Sequence, residues 1–298
     1  MIRFIVCLIF ILSSNCSIAQ NVSVYIANQY NNAPIAYAHA WSEISSYGVT
    51  SDSLGVFRAL DRFASDTFKI TAIGYIPQLL TLSDVDTLLM IPDTLSLNPV
   101  IVLASTDQLQ FENLGRIGKS GMRNTASSGP RAWRIAQKFV SPRKAGEMIH
   151  LEELSFRTSS AVDSAMFEIQ IMSVDSVGSP SHPVNDKPIY GYASQGKALT
   201  TVDLNGITLD KPEFYIAFCW LAIPKNQYDH PCSEDACTSF APEIGLVNSK
   251  KSENCFAALK AGRWFNLSST TLGGNKSTSC SSIGFELEVS YSPHSGLD

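Results

Sequence analysis

Residues 228–237 carry the densest set of chemically reactive side chains in the sequence. His230, Cys232 and Cys237 have donor atoms that bind zinc, and the acids between them offer oxygen ligands for zinc or calcium. Their spacing is not that of a zinc finger, and the acids are few for a calcium site, so we predict no metal and no cofactor. In an oxidising compartment cysteines pair instead. The disulfide candidates, whose pairing the sequence leaves open, are Cys232, Cys237, Cys255 and Cys280.

Cys219 differs from these four cysteines because it lies in an apolar run, residues 214–220 (FYIAFCW). Such a run is typical of a buried strand. The chain has five cysteines after residue 19, so at most two disulfides can form and one thiol is left over. We predict that Cys219 is this free thiol and that it is buried.

Residues 113–146 contain basic side chains and no acidic one, although the whole chain has a net charge of −5. Such a stretch can bind an anionic glycan, a lipopolysaccharide or an acidic protein surface. The alternative is a linker that packs against the chain's own acidic regions. The candidates for ligand binding are Arg131, Arg134, Arg143 and Lys144. The acidity of the chain as a whole argues against general nucleic-acid binding.

Aromatic side chains near predicted loops are candidates for saccharide binding, because sugar rings present C–H faces that stack on aromatic rings. These candidates are Tyr190, Tyr192, Tyr228 and Trp264. The alternative for each is ordinary packing in the core or at a sheet edge.

Signatures of catalysis are weak in this sequence. It has no Gly-x-Ser-x-Gly motif, and its five histidines are widely spaced. The tripeptide at 118–120 (GKS) lacks the glycine that a phosphate-binding loop needs five positions earlier, where Asn113 stands. We therefore predict no catalytic residues and a protein that is not an enzyme, with a hydrolase of unfamiliar type as the least favoured alternative.

The elements that must position these residues are β-strands. Apolar residues alternate with polar ones over 22–26, 167–171 and 285–289, and turn-forming residues separate such runs. Among these, residues 52–55 (DSLG) predict a tight turn between two strands. This pattern predicts an all-β chain of sandwiches or barrels. We expect strand-rich domains over 20–104 and 147–298, joined by a basic linker over 105–146 that contributes edge strands.

The N-terminal residues 1–19 have the layout of a secretory signal peptide, with Arg3, an apolar run over 4–12 and a small-x-small site that ends at Ala19. The run is too short for a helix that spans ~30 Å of hydrocarbon. A lipid anchor at Cys16 is disfavoured by Asn15 before it. We predict cleavage after Ala19, no transmembrane helix, and export to the periplasm, the outer membrane or the cell surface.

The first strand-rich region contains an ordered set of short motifs at 34–38 (PIAYA), 48–57 (GVTSDSLGVF), 68–70 (FKI) and 73–75 (IGY). With this set it resembles the carboxypeptidase-regulatory-like domain of secreted and outer-membrane proteins of Bacteroidetes. The resemblance implies a seven-stranded, immunoglobulin- or transthyretin-like sandwich that serves as a structural and contact module. It carries over no catalytic residues.

The second strand-rich region resembles the jelly-roll-like β-sandwich that follows this module in some Bacteroidetes proteins. The matching stretches are 165–174, 199–204 and 213–220. This resemblance implies a fold and not a ligand.

These observations together predict a non-catalytic, exported binding or adhesion module. Its expected partner is a glycan or another component of the cell envelope, and it can lie peripheral to the outer membrane. The alternative is an accessory structural partner of an outer-membrane uptake system of the TonB-dependent type.

Overall fold

The structure, a computed structural model, describes residues 21–45, 47–93, 109–118, 122, 124–129, 133–142, 148–231, 236–249, 255–258, 263–267 and 280–291. The predicted signal peptide, residues 1–19, lies outside them. Strands account for nearly all the regular structure, so the prediction of an all-β chain is confirmed. No helix among the described residues is long and apolar enough to cross a membrane.

The first sandwich consists of seven described strands in two sheets, as predicted. The strands are β1 (Asn21–Asn28), β2 (His39–Ser42), β3 (Gly48–Thr50), β4 (Val56–Leu60), β5 (Thr67–Thr71), β6 (Gln78–Thr81) and β7 (Thr87–Met90). One sheet has the order β4-β1-β7 and the other β3-β2-β5-β6. β1 pairs with β7 in parallel and with β4 antiparallel. Short 3₁₀ helices cover Asp61–Phe63 and Leu82–Asp84.

The alternation of apolar and polar residues along these strands explains why the two sheets pack into a sandwich. Ile26 and Phe57 from one sheet meet Phe68 and Ile70 from the other in a common buried core. Burial of such side chains contributes roughly 1.5–3 kcal/mol each.

The predicted turn at 52–55 is present between β3 and β4. Asp52 Oδ1 accepts hydrogen bonds from the backbone N–H groups of Leu54 at 2.9 Å and Val56 at 3.0 Å. Gly55 has φ +75°, and a Cβ there would lie 2.6 Å from the Ile26 carbonyl oxygen. Only glycine fits this position, because it tolerates positive φ and has no Cβ.

The second sandwich is larger. Its strands are β8 (Gln110–Gly115), β9 (Thr125–Ser128), β10 (Arg134–Val140), β11 (Ile149–Ser160), β12 (Ala165–Val174), β13 (Pro180–Pro183), β14 (Ile189–Ala193), β15 (Gly196–Leu209), β16 (Glu213–Trp220), β17 (Gln227–Pro231), β18 (Ala236–Ser249), β19 (Cys255–Ala258), β20 (Trp264–Asn266), β21 (Cys280–Ile283) and β22 (Glu286–Tyr291). A 3₁₀ helix covers Pro224–Asn226.

Two sheets enclose the core of this second sandwich. One has the order β13-β12-β16-β10-β19-β20, with β14 also paired to β12. The other has the order β17-β18-β11-β22-β8, with β15 paired to β11 and with β9 and β21 paired to β18. Phe156 from the second sheet packs against Phe167 and Phe218 from the first, with ring centroids 5.5 and 5.8 Å apart. Phe285, between β21 and β22, packs against Phe156 at 5.1 Å.

The segment that we expected to be a linker with edge strands is built into this second sandwich. β8 does lie at a sheet edge, but β10 lies inside a sheet, between β16 and β19, so the expectation of edge strands is corrected for β10. Ile135 and Phe139 point into the sandwich core, while Arg134 and Lys138 point the other way. The basic residues of β10 suggest a solvated edge strand, but Arg134 lies over the Trp41 ring of the first sandwich and Lys138 pairs with Glu213. The domain limits 20–104, 105–146 and 147–298 stay predictions.

Candidate functional site

The two sandwiches meet through the outer faces of two sheets, the β3-β2-β5-β6 sheet and the sheet that contains β12, β16 and β10. Along β12, Phe167, Ile169 and Ile171 face the core of the second sandwich. Glu168 and Gln170 alternate with them and face the first sandwich, yet both are buried. β12 is therefore covered on both faces, and its polar residues lie in a domain interface.

Strand pairing places four residues in one row across this outer face. Arg134 of β10 is opposite Cys219 of β16, Cys219 is opposite Glu168 of β12, and Glu168 is opposite Tyr190 of β14. Side chains in directly opposite positions on one face of a sheet are neighbours. The row therefore gathers a cation, a thiol, a carboxylate and a phenol.

A matching row comes from the first sandwich. Tyr37, His39 and Trp41 alternate with Ala38 and Ala40, which belong to the core of that sandwich. In β2 the period of two sends His39 and Trp41 to the face opposite Ala40. Tyr37 precedes the strand in a turn with φ +57°.

Each residue of this row contacts one residue of the second sandwich. The contacts are Tyr37 with Tyr190 at 5.1 Å between centroids, His39 Nε2 with Glu168 Oε2 at 2.8 Å, and Arg134 over the Trp41 ring at 5.5 Å. We call these three pairs the seam.

The centre of the seam is the pair of His39 and Glu168. Both side chains are only 4% exposed. Glu168 Oε2 also accepts a hydrogen bond from Gln170 Nε2 at 3.2 Å, and His39 Nδ1 lies 3.5 Å from Thr50 Oγ1. Thr50 Oγ1 in turn accepts a bond from the backbone N–H of Ala222 at 3.2 Å. A buried carboxylate of this kind needs such partners, because an unpaired buried charge costs several kcal/mol.

Arg134 lies between two indole rings from different parts of the chain. Its guanidinium carbon is 5.5 Å from the Trp41 centroid and 4.9 Å from the Trp264 centroid. Its Nη1 donates to Gln170 Oε1 at 3.0 Å. Burial lowers the pKa of Arg134, while the Cys219 thiol and the Glu168 carboxylate oppose that shift. Two stacked rings and a hydrogen bond therefore hold this cation in one place.

Cys219 is the free, buried cysteine that the sequence predicted. It faces the domain interface rather than the core of the second sandwich, with Ala136, Tyr215 and Ala217 beside it. Burial, and next Glu168, raise the pKa of the thiol well above its usual value, while Arg134 acts in the opposite direction. Since the thiolate is the nucleophilic form, this geometry disfavours reaction at Cys219.

A cleft of about 700 Å³ opens between the sandwiches beside the seam, and we call it the interdomain cleft. The first sandwich contributes Lys69, Thr71, Ala72, Ile73, Gly74, Tyr75, Pro77 and Asp93. The second contributes Arg134, Gln170, Met172, Ser181, His182, Pro183, Val184, Asn185 and Asp186. Apolar rings and aliphatic groups thus alternate with hydrogen-bonding groups, the mixture that small-molecule sites use.

A close backbone contact lies beside this cleft, where Gly74 meets Asp186. Gly74 has φ +80°, and a Cβ there would lie 3.3 Å from the Asp186 carbonyl oxygen. Asp186 follows Asn185, whose side chain accepts from the N–H of Ile171 at 3.0 Å and donates to the carbonyl of Lys187 at 2.8 Å. The side chain of Asn185 therefore fixes this segment against β12.

The segment 184–186 separates the interdomain cleft from a second cleft of about 630 Å³. His150 lines the second cleft, and its Nδ1 lies 3.1 Å from Thr208 Oγ1. Burial lowers the pKa of His150, and Glu152 opposes this. This cleft belongs to the second sandwich alone, apart from Leu109, which lies just before β8.

The four predicted aromatic residues have different environments. Tyr190 packs in the seam, where burial raises its pKa, and Trp264 stacks on Arg134. Tyr228 is half-buried and packs against the core of the second sandwich. Tyr192 is 56% exposed, and Lys225 Nζ lies 5.4 Å from its ring centroid. Tyr192 is thus the one of the four that keeps a largely open ring.

The other predicted site residues are only partly covered by the structure. Arg131, Arg143, Lys144 and Cys232 lie outside the described residues. Cys237, Cys255 and Cys280 lie in β18, β19 and β21. Of the four predicted basic candidates, Arg134 is therefore the one whose position is known. It lines the interdomain cleft.

Sequence reasoning missed the residues that build the interface, namely Tyr37, His39, Lys69, Glu168 and Gln170. A signal was present, because Met166 and Met172 share one face of β12 with Glu168 and Gln170. Apolar residues on both faces of a strand indicate that both faces are covered. Trp41 is buried as well, in the seam and not in the core of the first sandwich.

One serine–histidine contact lies near the interdomain cleft. Ser173 Oγ is 3.1 Å from His182 Nδ1 and also donates to the His182 carbonyl at 3.2 Å. Both side chains belong to the exposed β12–β13 ladder, and among the described residues no carboxylate bonds to His182. The contact therefore lacks the third group that orients the base in a hydrolytic triad.

Comparisons with known proteins give no sequence relative. No family model matches the chain, and no curated protein matches it. A solved structure of the clostridial cysteine protease Cwp84, in a substituted form after propeptide cleavage, is 11% identical, with 92% of this chain and 71% of that chain covered and a TM-score of 0.43.

Two further solved structures are still less similar. The cysteine protease and lectin-like domains of Cwp84, a surface layer associated protein of Clostridium difficile, give 11% identity, coverage of 91% and 58%, and a TM-score of 0.38. The structure of infectious bursal disease virus, Gx strain, is 9% identical, with 85% of this chain and 56% of that chain covered and a TM-score of 0.22. These scores are too low to support a shared function.

Proposed function

We propose that the chain is a non-catalytic, exported binding module, and that a saccharide of the cell envelope binds in the interdomain cleft. The observation that carries the proposal is the cleft itself, which has a volume of about 700 Å³ and walls from both sandwiches. The Tyr75 ring and Pro183 offer apolar faces to the C–H face of a sugar, and Thr71, Gln170 and Asp186 offer groups that hydrogen-bond to its hydroxyls.

The seam supports this proposal because it fixes one wall of the cleft relative to the other. His39 and Glu168 are buried partners from different sandwiches, and the exposed pair of Arg263 with Glu43, 2.9 Å apart, joins the same two domains. A preformed cleft does not have to order its walls when a ligand enters, which favours affinity.

A binding role is also favoured over catalysis by the chemistry near the cleft. The Cys219 thiol is buried with a raised pKa, and the Ser173–His182 contact has no orienting carboxylate among the described residues. We also propose that the first sandwich is a carboxypeptidase-regulatory-like domain, a type of domain that serves as a contact module.

Filling the cleft tests the proposal. Glycans that bind the full chain on an array are titrated by calorimetry against Thr71→Trp, which places an indole in the cleft, and against Thr201→Trp on the exposed face of β15. We expect binding to fall more than about tenfold in the first variant and to stay unchanged in the second. Equal binding by both variants contradicts the cleft as the site, and fractionation of tagged protein checks export.

A second candidate function rests on an apolar edge of the first sandwich. Ile76, Leu79, Leu89 and Ile91 are all exposed, Leu79 by 65%, and the Ile76 N–H donates to the Ile91 carbonyl at 2.9 Å. This edge suits an accessory partner that docks to an outer-membrane uptake protein of the TonB-dependent type. A photocrosslinker at Leu79 then captures such a protein in cells, whereas one at the exposed Val177 does not. Capture at neither position contradicts docking through this edge.

A further inference from the structure

We propose that the ligand of the interdomain cleft is an acidic saccharide whose carboxylate binds Lys69 next to Arg134. This inference rests on the proposed function and names its ligand class. Its geometric basis is that the two sandwiches each bring one cation to the same indole ring.

The first step concerns where these cations lie. Lys69 of β5 is directly opposite Trp41 of β2, and Arg134 stacks over the Trp41 ring at 5.5 Å. Both cations are half-buried and both line the cleft. Like charges brought together in a partly desolvated place raise the free energy unless an anion lies near them.

The second step concerns which anions the protein itself supplies. Glu168, the buried carboxylate nearby, already binds His39 and Gln170. Lys69 makes no ion pair with any residue that the structure describes. Glu168 is also the acidic neighbour of Arg134, so Lys69 is the cation of the cleft that forms no ion pair with a described carboxylate.

The third step concerns the rim, which distinguishes an acidic sugar from a simple anion. Asp93 and Asp186 line the same cleft and are exposed, whereas Lys69 and Arg134 lie deeper. Carboxylates only accept hydrogen bonds, so they suit sugar hydroxyls but repel a polyanion such as a phosphorylated chain. A uronic acid has one carboxylate for the inner cations, hydroxyls for the rim, and a C–H face for the Tyr75 ring.

Lys69 carries the direct contact in this arrangement, and Arg134 adds positive potential from a fixed position. A charge-assisted hydrogen bond from an ammonium to a carboxylate is among the stronger polar contacts in proteins. Removal of Lys69 should therefore weaken binding of the acidic sugar by about tenfold. It should leave the fold intact, because the ammonium group has no hydrogen-bond partner among the described residues.

The experiment compares two matched probes by calorimetry with the full chain. These are a disaccharide of one galacturonic acid and one neutral sugar, which has a single carboxylate, and the same disaccharide with that carboxylate methyl-esterified. We expect the acid to bind at least about tenfold more tightly than the ester, and more weakly as salt rises. Lys69→Ala should lose this preference, Lys69→Arg should retain most of it, and the control Lys197→Ala on the exposed part of β15 should behave as the unchanged chain.

Four outcomes overturn the inference. Equal affinity for the two probes, or an unchanged preference in Lys69→Ala, excludes the acidic class but leaves the cleft as a saccharide site. If neither probe binds, but a neutral glycan binds and Thr71→Trp blocks that binding, the acidic class is also excluded and the cleft remains a saccharide site. Absence of any saccharide binding removes the proposed function together with this inference.

Discussion

The seam and the interdomain cleft are formed by the same two sheet faces, but they handle charge in different ways. In the seam, the buried pair of His39 and Glu168 satisfies itself within the protein, with Gln170 and Thr50 as further partners. In the cleft, Lys69 makes no ion pair with a described carboxylate, although Asp93 and Asp186 line the same cleft. The seam is thus paired internally, whereas the cleft holds a cation without an ion-pair partner among the described residues.

The comparison shows how one domain interface can hold the two sandwiches together and still leave a cleft that a ligand can enter. The seam buries aromatic rings and a hydrogen-bonded pair, so it fixes the two sandwiches. The cleft lies beside it and therefore has walls of fixed separation.

The largest expected effect concerns access to Cys219, which lies beneath the seam and is 1% exposed. We expect a thiol reagent to label Cys219 in the native chain at least about a thousandfold more slowly than in urea, since labelling requires the interface to open. Mass spectrometry of the peptide that contains Cys219 measures this rate. Rapid labelling of the native chain would show that the sandwiches separate readily.

The next effect concerns the buried carboxylate of the seam. Glu168→Ala leaves His39 and Arg134 without their acidic neighbour, and breaking a buried pair in this way costs about 3–5 kcal/mol. Urea unfolding measures the change, with the exposed Glu153→Ala as control, for which we expect less than about 0.5 kcal/mol. The same variant should speed the labelling of Cys219. A cost as small as the control's would mean that the pair does not hold the interface.

A smaller effect concerns the close backbone contact beside the cleft. Gly74→Ala places a Cβ 3.3 Å from the Asp186 carbonyl oxygen in a backbone conformation with φ +80°. We expect a loss of about 1–2 kcal/mol, from strain and from displacement of the segment around Asp186. Gly196→Ala is a matched control, because it has φ +82° but nothing within 4 Å. An equal loss in the two variants would assign the whole effect to backbone strain.

The smallest effect contrasts the buried pair with an exposed one, Asp52 with Arg58, 2.7 Å apart. Burial raises the pKa of Asp52, but bonds from the Val56 N–H, from Arg58 and from the Leu54 N–H outweigh it and lower the pKa below its usual value. Because the pKa of Asp52 is lower in the folded state than in the unfolded state, its carboxylate stabilises the fold at pH values above the unfolded-state pKa. This contribution is lost as the pH falls through the folded-state pKa.

Asp52→Asn should therefore flatten the fall in stability between about pH 5 and pH 2, with little change in its slope above pH 6. Unfolding measured across this range checks the prediction against the exposed Asp203→Asn. Identical curves for the unchanged chain and Asp52→Asn would show that this pair adds nothing to the fold.

Local patterns in the sequence predict much of the fold. Alternation predicts the strands, the residues 52–55 predict the turn that Asp52 and Gly55 form, and the apolar run around Cys219 predicts its burial. These features depend on neighbours in the chain, which the sequence shows directly.

The seam could not be predicted in this way, because it joins residues 37–41 to Arg134, Glu168 and Tyr190, which are far away in the sequence. A polar residue between two apolar ones on a strand indicates a solvated face, and Glu168 fits that pattern although it is buried. Only the packing of one sandwich on the other reverses the interpretation.

The strand order also fixes a sequence of events during synthesis. β7 pairs with β1, so the first sandwich can close as soon as β7 is available. β22 lies between β11 and β8, so that sheet of the second sandwich stays open until β22, the last strand described, is made. During this interval β8 and β11 have unpaired edges, which can pair wrongly with other chains. The second sandwich is therefore the part of a nascent chain for which a chaperone would matter most.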